Sequence, residues 1–304
     1  ATSGFTSFYR NVGSLENKGL EFVINTNNLT GKLQWSTSFN LGLNRNKILN
    51  LDGPSIQAGN TSTGNNIAMK NQPLGVFYLP KYAGVAPSTV IGGNPDGSDI
   101  NGGDALYYVE AGSKIVTSNY ALADAQIVGD PNPDFYGGIY NSFTYKDWEF
   151  NFLFQFVVGN DIYKSFGQWA QSNGYNLDNQ TVDQVDGWKK DGDITDVPRA
   201  EWDYKNGSRP SSRYLENGSY LRLKSLNLSY TLPKRITDKV NLASLRVYLT
   251  ASNLWTLTKY TGWDPEVNYT GTGRSQTNTN LIQGSEFYSA PQSKTITLGV
   301  KLSF

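Results

Sequence analysis

The feature that most constrains this chain is a two-residue alternation of apolar and polar side chains, sustained over eleven positions. From Trp148 to Val158 every second residue is apolar: Trp148, Phe150, Phe152, Phe154, Phe156 and Val158. Glu149, Asn151, Leu153, Gln155 and Val157 lie between them. Successive side chains of a strand point to opposite faces, so one face of this segment is wholly apolar and mostly aromatic. The split recurs where Leu33, Trp35, Thr37, Phe39, Leu41 and Leu43 oppose Gln34, Ser36, Ser38, Asn40, Gly42 and Asn44. It appears again where Ile296, Leu298, Val300, Leu302 and Phe304 oppose Thr295, Thr297, Gly299, Lys301 and Ser303. Weaker strands are predicted at 15–27, 134–146, 218–230 and 244–254, which makes seven.

Strand length decides between a sheet in a soluble core and a wall in a membrane. Globular strands average about 5–6 residues. Eleven residues rising about 3.3 Å each, tilted near 45°, span roughly 25 Å, the height of the apolar band of an outer-membrane barrel. The connections alternate in length as such a barrel requires. Asn27–Gly31 and Lys146–Asp147 are short turns, and 231–243 is intermediate. The stretches 46–133, 159–217 and 255–292 are long and rich in Gly, Asn, Ser and Asp. If the last strand ends on the periplasmic side, every short turn falls there and every long loop lies outside. Trp35, Tyr145 and Trp148 then sit near the periplasmic interface and Trp255 near the outer one, the depths amphipathic rings favour. Seven is odd, whereas bacterial single-chain barrels have an even strand number, so these strands read as part of a barrel.

Composition narrows the chemistry. The chain has no His, no Cys and one Met, with 26 basic and 26 acidic residues. It cannot build a Ser-His-Asp or Cys-His triad, a disulfide, or an ordinary zinc, haem or iron–sulfur site. A balanced charge without a basic run argues against a nucleic-acid surface. No 18-residue apolar stretch marks a transmembrane helix, and Ala1–Phe5 lacks the basic start and apolar core of a signal peptide. The mean hydropathy of −0.46 looks soluble, but alternation averages such an index towards zero.

Five motifs in order carry a resemblance. Asn17-Lys18-Gly19-Leu20-Glu21, Asp130-Pro131-Asn132-Pro133-Asp134-Phe135-Tyr136-Gly137-Gly138, and Tyr220–Leu226 followed by Ser229-Tyr230-Thr231-Leu232-Pro233 are three of them. Trp188–Arg199 and Asn253–Glu266 are the others. Together they resemble the C-terminal portion of SusC/RagA-type TonB-dependent outer-membrane transporters. The resemblance implies an all-β fold, namely the C-terminal part of a large antiparallel transmembrane β-barrel with long extracellular loops. Residues 1–304 would supply about seven strands, with the plug and N-terminal strands absent. It implies import of nutrients such as oligosaccharides or peptides across the cell outer membrane. The implied partners are a SusD/RagB-like surface lipoprotein, the TonB complex through the missing plug region, and outer-membrane lipid. No cofactor and no catalytic residue are expected. Many members carry an acidic calcium-like segment before the Asn-Pro-Asp-Phe motif. Here the stretch Tyr107–Ile115 lacks it.

The expected lipid-facing residues are Trp148, Phe150, Phe152, Phe154, Phe156, Ile296, Leu298, Val300, Leu302 and Phe304. Phe304 and the apolar residues before it also resemble the signal read by barrel-assembly machinery. Trp169, Trp188, Trp202, Tyr260 and Trp263 lie in the long loops, where exposed rings can stack on sugars or pack against peptides. The competing reading is that they fill small cores within the loops. Glu149, Gln155, Arg222 and Lys224 sit in strands and are candidates for a polar lumen. Asp191, Asp193 and Asp196 lack EF-hand spacing and read as a solvated loop, and Asn94–Asp99 reads as a turn. The alternative functions are a passive porin and a secreted soluble β-rich binding module.

Overall fold

The computed structural model describes residues 11–58, 66–266, 268–269 and 281–304. Seven strands form one sheet: β1 (Gly13–Thr30), β2 (Leu33–Leu51), β3 (Phe135–Tyr145), β4 (Trp148–Val158), β5 (Tyr220–Thr231), β6 (Ser244–Thr258) and β7 (Thr295–Ser303). Each pairs antiparallel with its neighbour in sequence. Among the described residues no helix is long and apolar enough to cross a membrane, which says nothing about strands that do so.

Register converts the alternation of single strands into two continuous surfaces. Ile24 stands opposite Phe39, Phe39 opposite Ile139, and Ile139 opposite Phe154. Phe154 then meets Leu223, which faces Trp255, while Leu249 faces Leu298. One face of the sheet is therefore mostly apolar, interrupted towards the short-turn end where Trp35 Nε1 and Thr37 Oγ1 donate to Asn141 Oδ1 at 2.9 and 2.8 Å. Its rings touch: Trp35 stacks on Phe143 at 5.5 Å, Phe143 on Phe152 at 6.2 Å, and Phe154 meets Trp255 edge-on at 6.3 Å. Little of the chain covers this face, and Leu298 is 73% exposed. The opposite face carries Ser38, Asn40, Tyr140, Asn151, Asn227, Ser229, Thr250 and Thr297, together with Glu149, Gln155, Arg222 and Lys224. Near the short-turn end Arg246 pairs there with Glu149 and donates to Ser229 Oγ at 2.6 Å.

The apolar set of β5 changes parity, from Leu221 and Leu223 to Leu226 and Leu228. A β-bulge reconciles this with a single apolar face. Phe154 pairs with Leu223 but Leu153 pairs with Ser225, so Lys224 is the extra residue. On β6 the same irregularity skips Asn253 and Leu254, and Asn253 takes φ +53°. Bulges re-aim side chains where a ladder is interrupted. Here the bulge lets Lys224 join Arg222 on the polar face.

Close approach fixes one glycine. A Cβ on Gly42 would lie 2.8 Å from Tyr136 Cζ, because the Tyr136 ring is laid over β2. Gly42→Val is expected to destabilise the wall by about 1–3 kcal/mol through overpacking. A lower unfolding temperature in detergent checks this, and a Gly42→Val/Tyr136→Ala double variant is expected to recover most of the loss.

One sequence expectation needs correction. β2 was expected to end near residue 44 but runs to Leu51, with Glu16, Asn17 and Lys18 opposite Lys47, Asn46 and Arg45. Ladder bonds are backbone bonds and need no apolar alternation, so pairing outlasts it; along this stretch Ile48 is buried and Asn46 bonds to Leu74 and Asn132 of the loops. The long connections also hold structure of their own. Ser55–Ala58, Asn66–Met69, Val76–Pro80 and Ala125–Gly129 make a four-stranded sheet. Tyr82–Val85, Ala105–Tyr108 and Val116–Thr117 make a three-stranded one. Asp161–Lys164 joins Leu215–Asn217 and Ser285–Glu286 in a third, which ties two connections together. Phe77, Leu79, Tyr163 and Tyr214 form the buried core of this loop layer.

Candidate functional site

The features that concentrate chemistry lie where the polar face of the wall meets the loop layer. β5 presents Arg222 there, with Lys224 beside it by virtue of the bulge. After β6 the chain folds back along this face and brings Asp264 and Glu266 to the two cations. Arg222 Nη2 lies 2.5 Å from Asp264 Oδ1, and its Nη1 lies 2.6 Å from Glu266 Oε2. Lys224 Nζ lies 2.6 Å from Glu266 Oε1. Arg222 Nε donates to Thr256 Oγ1 at 3.0 Å, so the guanidinium is held on both sides. The Arg222 and Asp264 side chains are 3% and 5% exposed, so this is a desolvated pair. Burial opposes charge on Asp264. The hydrogen bond from Arg222 and the amides of Glu266 and Gln292 outweigh it and hold the carboxyl below its ordinary 3.8.

A second group continues the layer. Lys164 pairs with Glu216 and donates to Thr261 Oγ1 at 2.7 Å. Tyr260 donates its hydroxyl to Glu286, which also accepts from the Trp263 amide at 3.1 Å. Glu286 is fully buried. Burial pushes its carboxyl above the ordinary 4.5, against the Tyr260 and Trp263 hydrogen bonds and the charge of Lys164. Burial and the adjoining Glu286 carboxylate push the Tyr260 hydroxyl upward as well. Three cations, Lys164, Arg222 and Lys224, thus meet four carboxylates, Glu216, Asp264, Glu266 and Glu286. The carboxylate in excess is matched by one whose acidity burial suppresses.

The raised folded value fixes a pH dependence. Glu286 contributes fully to stability below its ordinary 4.5, and that contribution is lost as pH rises through the raised folded value. The unfolding temperature of the full-length protein is therefore expected to fall relative to a Glu286→Gln variant as pH increases from 4.5. Parallel curves would contradict this assignment.

The loop aromatics do not form one cluster. Trp169 packs on Phe287 at 5.2 Å, and Trp188 sits against Gly102 and Gly103 while donating to the Pro87 carbonyl at 3.1 Å. Tyr260 is buried at 6%. Trp202 and Trp263 are 63% and 58% exposed. Beside the charged layer lies a cleft of about 850 Å³ whose lining includes Tyr82, Lys164, Phe166, Arg213, Glu216 and Thr261. Asp193 Oδ2 accepts from the amides of Lys189 and Lys190 in a local turn. Asn94–Asp99 is a turn as well, closed by the Gly97 amide on the Asn94 carbonyl and the Ser98 amide on Asp96 Oδ1.

Sequence reasoning placed Arg222 and Lys224 in a strand but did not find their partners. Asp264, Glu266 and Glu286 are far away in sequence, and no spacing rule links them. The parity change between Leu223 and Leu226 was the visible sign of the bulge.

No sequence-family profile matches the chain. It is 36% identical over 315 residues to TonB-dependent receptor P3 of Formosa agariphila, covering 99% of this chain and 30% of that protein. It is 26% identical over 308 residues to TonB-dependent receptor SusC of Bacteroides thetaiotaomicron, covering 97% of this chain and 27% of that protein. A solved RagAB peptide transporter superposes with a TM-score of 0.78 at 27% identity, over 100% of this chain and 30% of that one. The chain thus spans about 30% of the length of the first relatives it matches.

Proposed function

The chain is of the SusC/RagA type of TonB-dependent receptor, and from that premise we propose that it forms part of the wall and outer loops of an outer-membrane importer of large nutrients. The observation that carries this reading is the sheet itself: seven long antiparallel strands with one apolar face and one polar face. The apolar face, with Trp148, Phe150, Phe152, Phe154 and Phe156 on β4 and Ile296, Leu298, Val300 and Leu302 on β7, meets hydrocarbon. Phe304 follows at the end of that row. The polar face lines the interior. A sheet two-faced in this way presents apolar atoms to lipid and pairs its inner strands on both sides, while its two edge strands, Gly13–Thr30 and Thr295–Ser303, are left for the rest of a closed barrel to pair.

On this reading the loop layer lies outside the membrane and meets cargo and a lid. The cargo is an oligosaccharide or a peptide, and the lid is a SusD/RagB-like lipoprotein. The solved RagAB relatives are a peptide transporter and importer, which supports the peptide arm. Trp202 and Trp263 are the rings with most surface free for such contacts, ahead of Trp169, Trp188 and Tyr260. Energy enters through the TonB complex acting on a plug. No catalytic step is assigned to the chain.

Uptake by cells carrying the full receptor tests this. Fluorescent peptides and fluorescent oligosaccharides are supplied in separate arms, with and without an uncoupler and in a TonB deletion. Uptake that depends on the receptor and falls to background without TonB supports the proposal. Receptor-dependent uptake that ignores both treatments supports a passive porin instead.

A further inference from the structure

The connection from β6 to β7 does more than join two strands. It leaves the end of β6, turns back, and lies along the polar face of the wall with Asp264 and Glu266 against Arg222 and Lys224. Its return segment is tied to the same point, because the Gln292 amide donates to Asp264 Oδ2 at 2.9 Å. Glu286 holds Tyr260 and Trp263 from the other side. We propose that residues 259–266 are a strap held inside the barrel wall by this charge clasp, and that opening the clasp swings the strap away from the wall and widens the passage beside it.

Three observations point to a releasable strap rather than a fixed lining. First, the strap is anchored by charge more than by apolar burial. Tyr260 is buried, but its ring ends on a carboxylate, and Trp263 is mostly exposed. Buried ion pairs are poor sources of net stability yet strongly select one arrangement, because separating the partners strands a charge. Second, both cations belong to one short stretch of β5, and the bulge at Lys224 is what brings the second of them into play. A wall strand has no structural need for two adjacent inward cations. Third, Asp264 ties the outgoing strap to Arg222 and the returning chain through Gln292, so it touches both arms, alongside Glu286 on Tyr260 and Trp263 and Lys164 and Glu216 on Thr261.

The claim about the passage rests on the proposed reading of the polar face as a lumen. The claim about the strap does not, and the experiment separates them. Within the full receptor, nitroxide labels are placed at Trp263→Cys on the strap and Asp147→Cys in the β3–β4 turn. This chain supplies no competing cysteine. Pulsed electron resonance is expected to show one dominant distance with the clasp intact. A Asp264→Asn/Glu266→Gln variant is expected to show a second population, longer by at least 5 Å. Lys224→Met, which leaves Arg222 and Asp264 paired, is expected to show a smaller fraction of it. Each variant is first shown to be folded by its heat-modifiable migration in gels. If the double variant is not folded, Lys224→Met decides. An unchanged distance in folded variants overturns the strap. A shifted strap with no increase in vancomycin sensitivity of the host cells overturns the widening and leaves the strap standing.

Discussion

Replacing Phe152 by arginine is expected to remove the folded receptor from the outer membrane. Phe152 sits near the middle of β4, on the face where Phe143, Phe150 and Phe154 surround it. If that face meets lipid, a guanidinium there lies near the bilayer midplane, at a cost of about 2–4 kcal/mol. The lost aromatic packing adds to this, at roughly 0.5–1.5 kcal/mol per ring pair. The companion variant Asn151→Arg changes the adjacent residue, which points to the polar face and pairs with Asn227. It is expected to leave a folded, heat-modifiable protein in the membrane. Two neighbouring positions given the same charge thus diverge only if the alternation separates lipid from water. Equal outcomes at both positions would count against the assignment of faces.

The second large effect is expected at Arg222. Its guanidinium neutralises Asp264 and half of the Glu266 carboxylate within a nearly solvent-free site. Arg222→Leu strands the Asp264 charge, and breaking a buried pair from one side costs about 3–5 kcal/mol. The double replacement Arg222→Leu/Asp264→Leu removes both charges and is expected to recover a large part of the loss. Denaturant unfolding of the full receptor measures the cycle. If the double variant is no better than the single, the pair is not coupled as described.

How much of this was legible in the sequence depends on how local the cause is. The β4 alternation needs only neighbouring residues, so strand, face and approximate ends follow directly from Trp148 to Val158. The same holds for the 33–44 and 295–303 segments. The far half of β2 was invisible, because Arg45, Asn46 and Lys47 break the apolar alternation and the burial of Ile48 comes from distant loop segments, so only the pairing with β1 reveals it. The small sheets of the loops were hidden for a related reason. Their strands are two to five residues long, too short for a period to register. Tyr163 and Tyr214 form the loop core from opposite ends of one connection, which no local pattern announces.

The candidate site divides in the same way. Arg222 and Lys224 were readable as strand residues and as candidates for a polar lumen, along with Glu149 and Gln155. Their partnership with Asp264 and Glu266 comes from the chain doubling back on itself, a tertiary event. Trp188 illustrates the limit for loop aromatics. Sequence offered it as a ligand contact or a core residue, and the structure seats its ring on Gly102 and Gly103. Trp202, described by the same sequence signals, is left largely open.

The function of this sheet depends on which medium each of its faces meets. A cysteine scan through residues 149–156 of β4 and 295–302 of β7, in the full receptor reconstituted in brominated lipid, measures this directly. Each single cysteine carries a small environment-sensitive fluorophore. Labels at 150, 152, 154, 296, 298 and 300 are expected to be quenched by bromine. Labels at 149, 151, 155, 295, 297 and 299 are expected to resist it and to respond to a water-soluble quencher. Quenching that fails to alternate, or that marks the polar set as the lipid-facing one, would contradict the account.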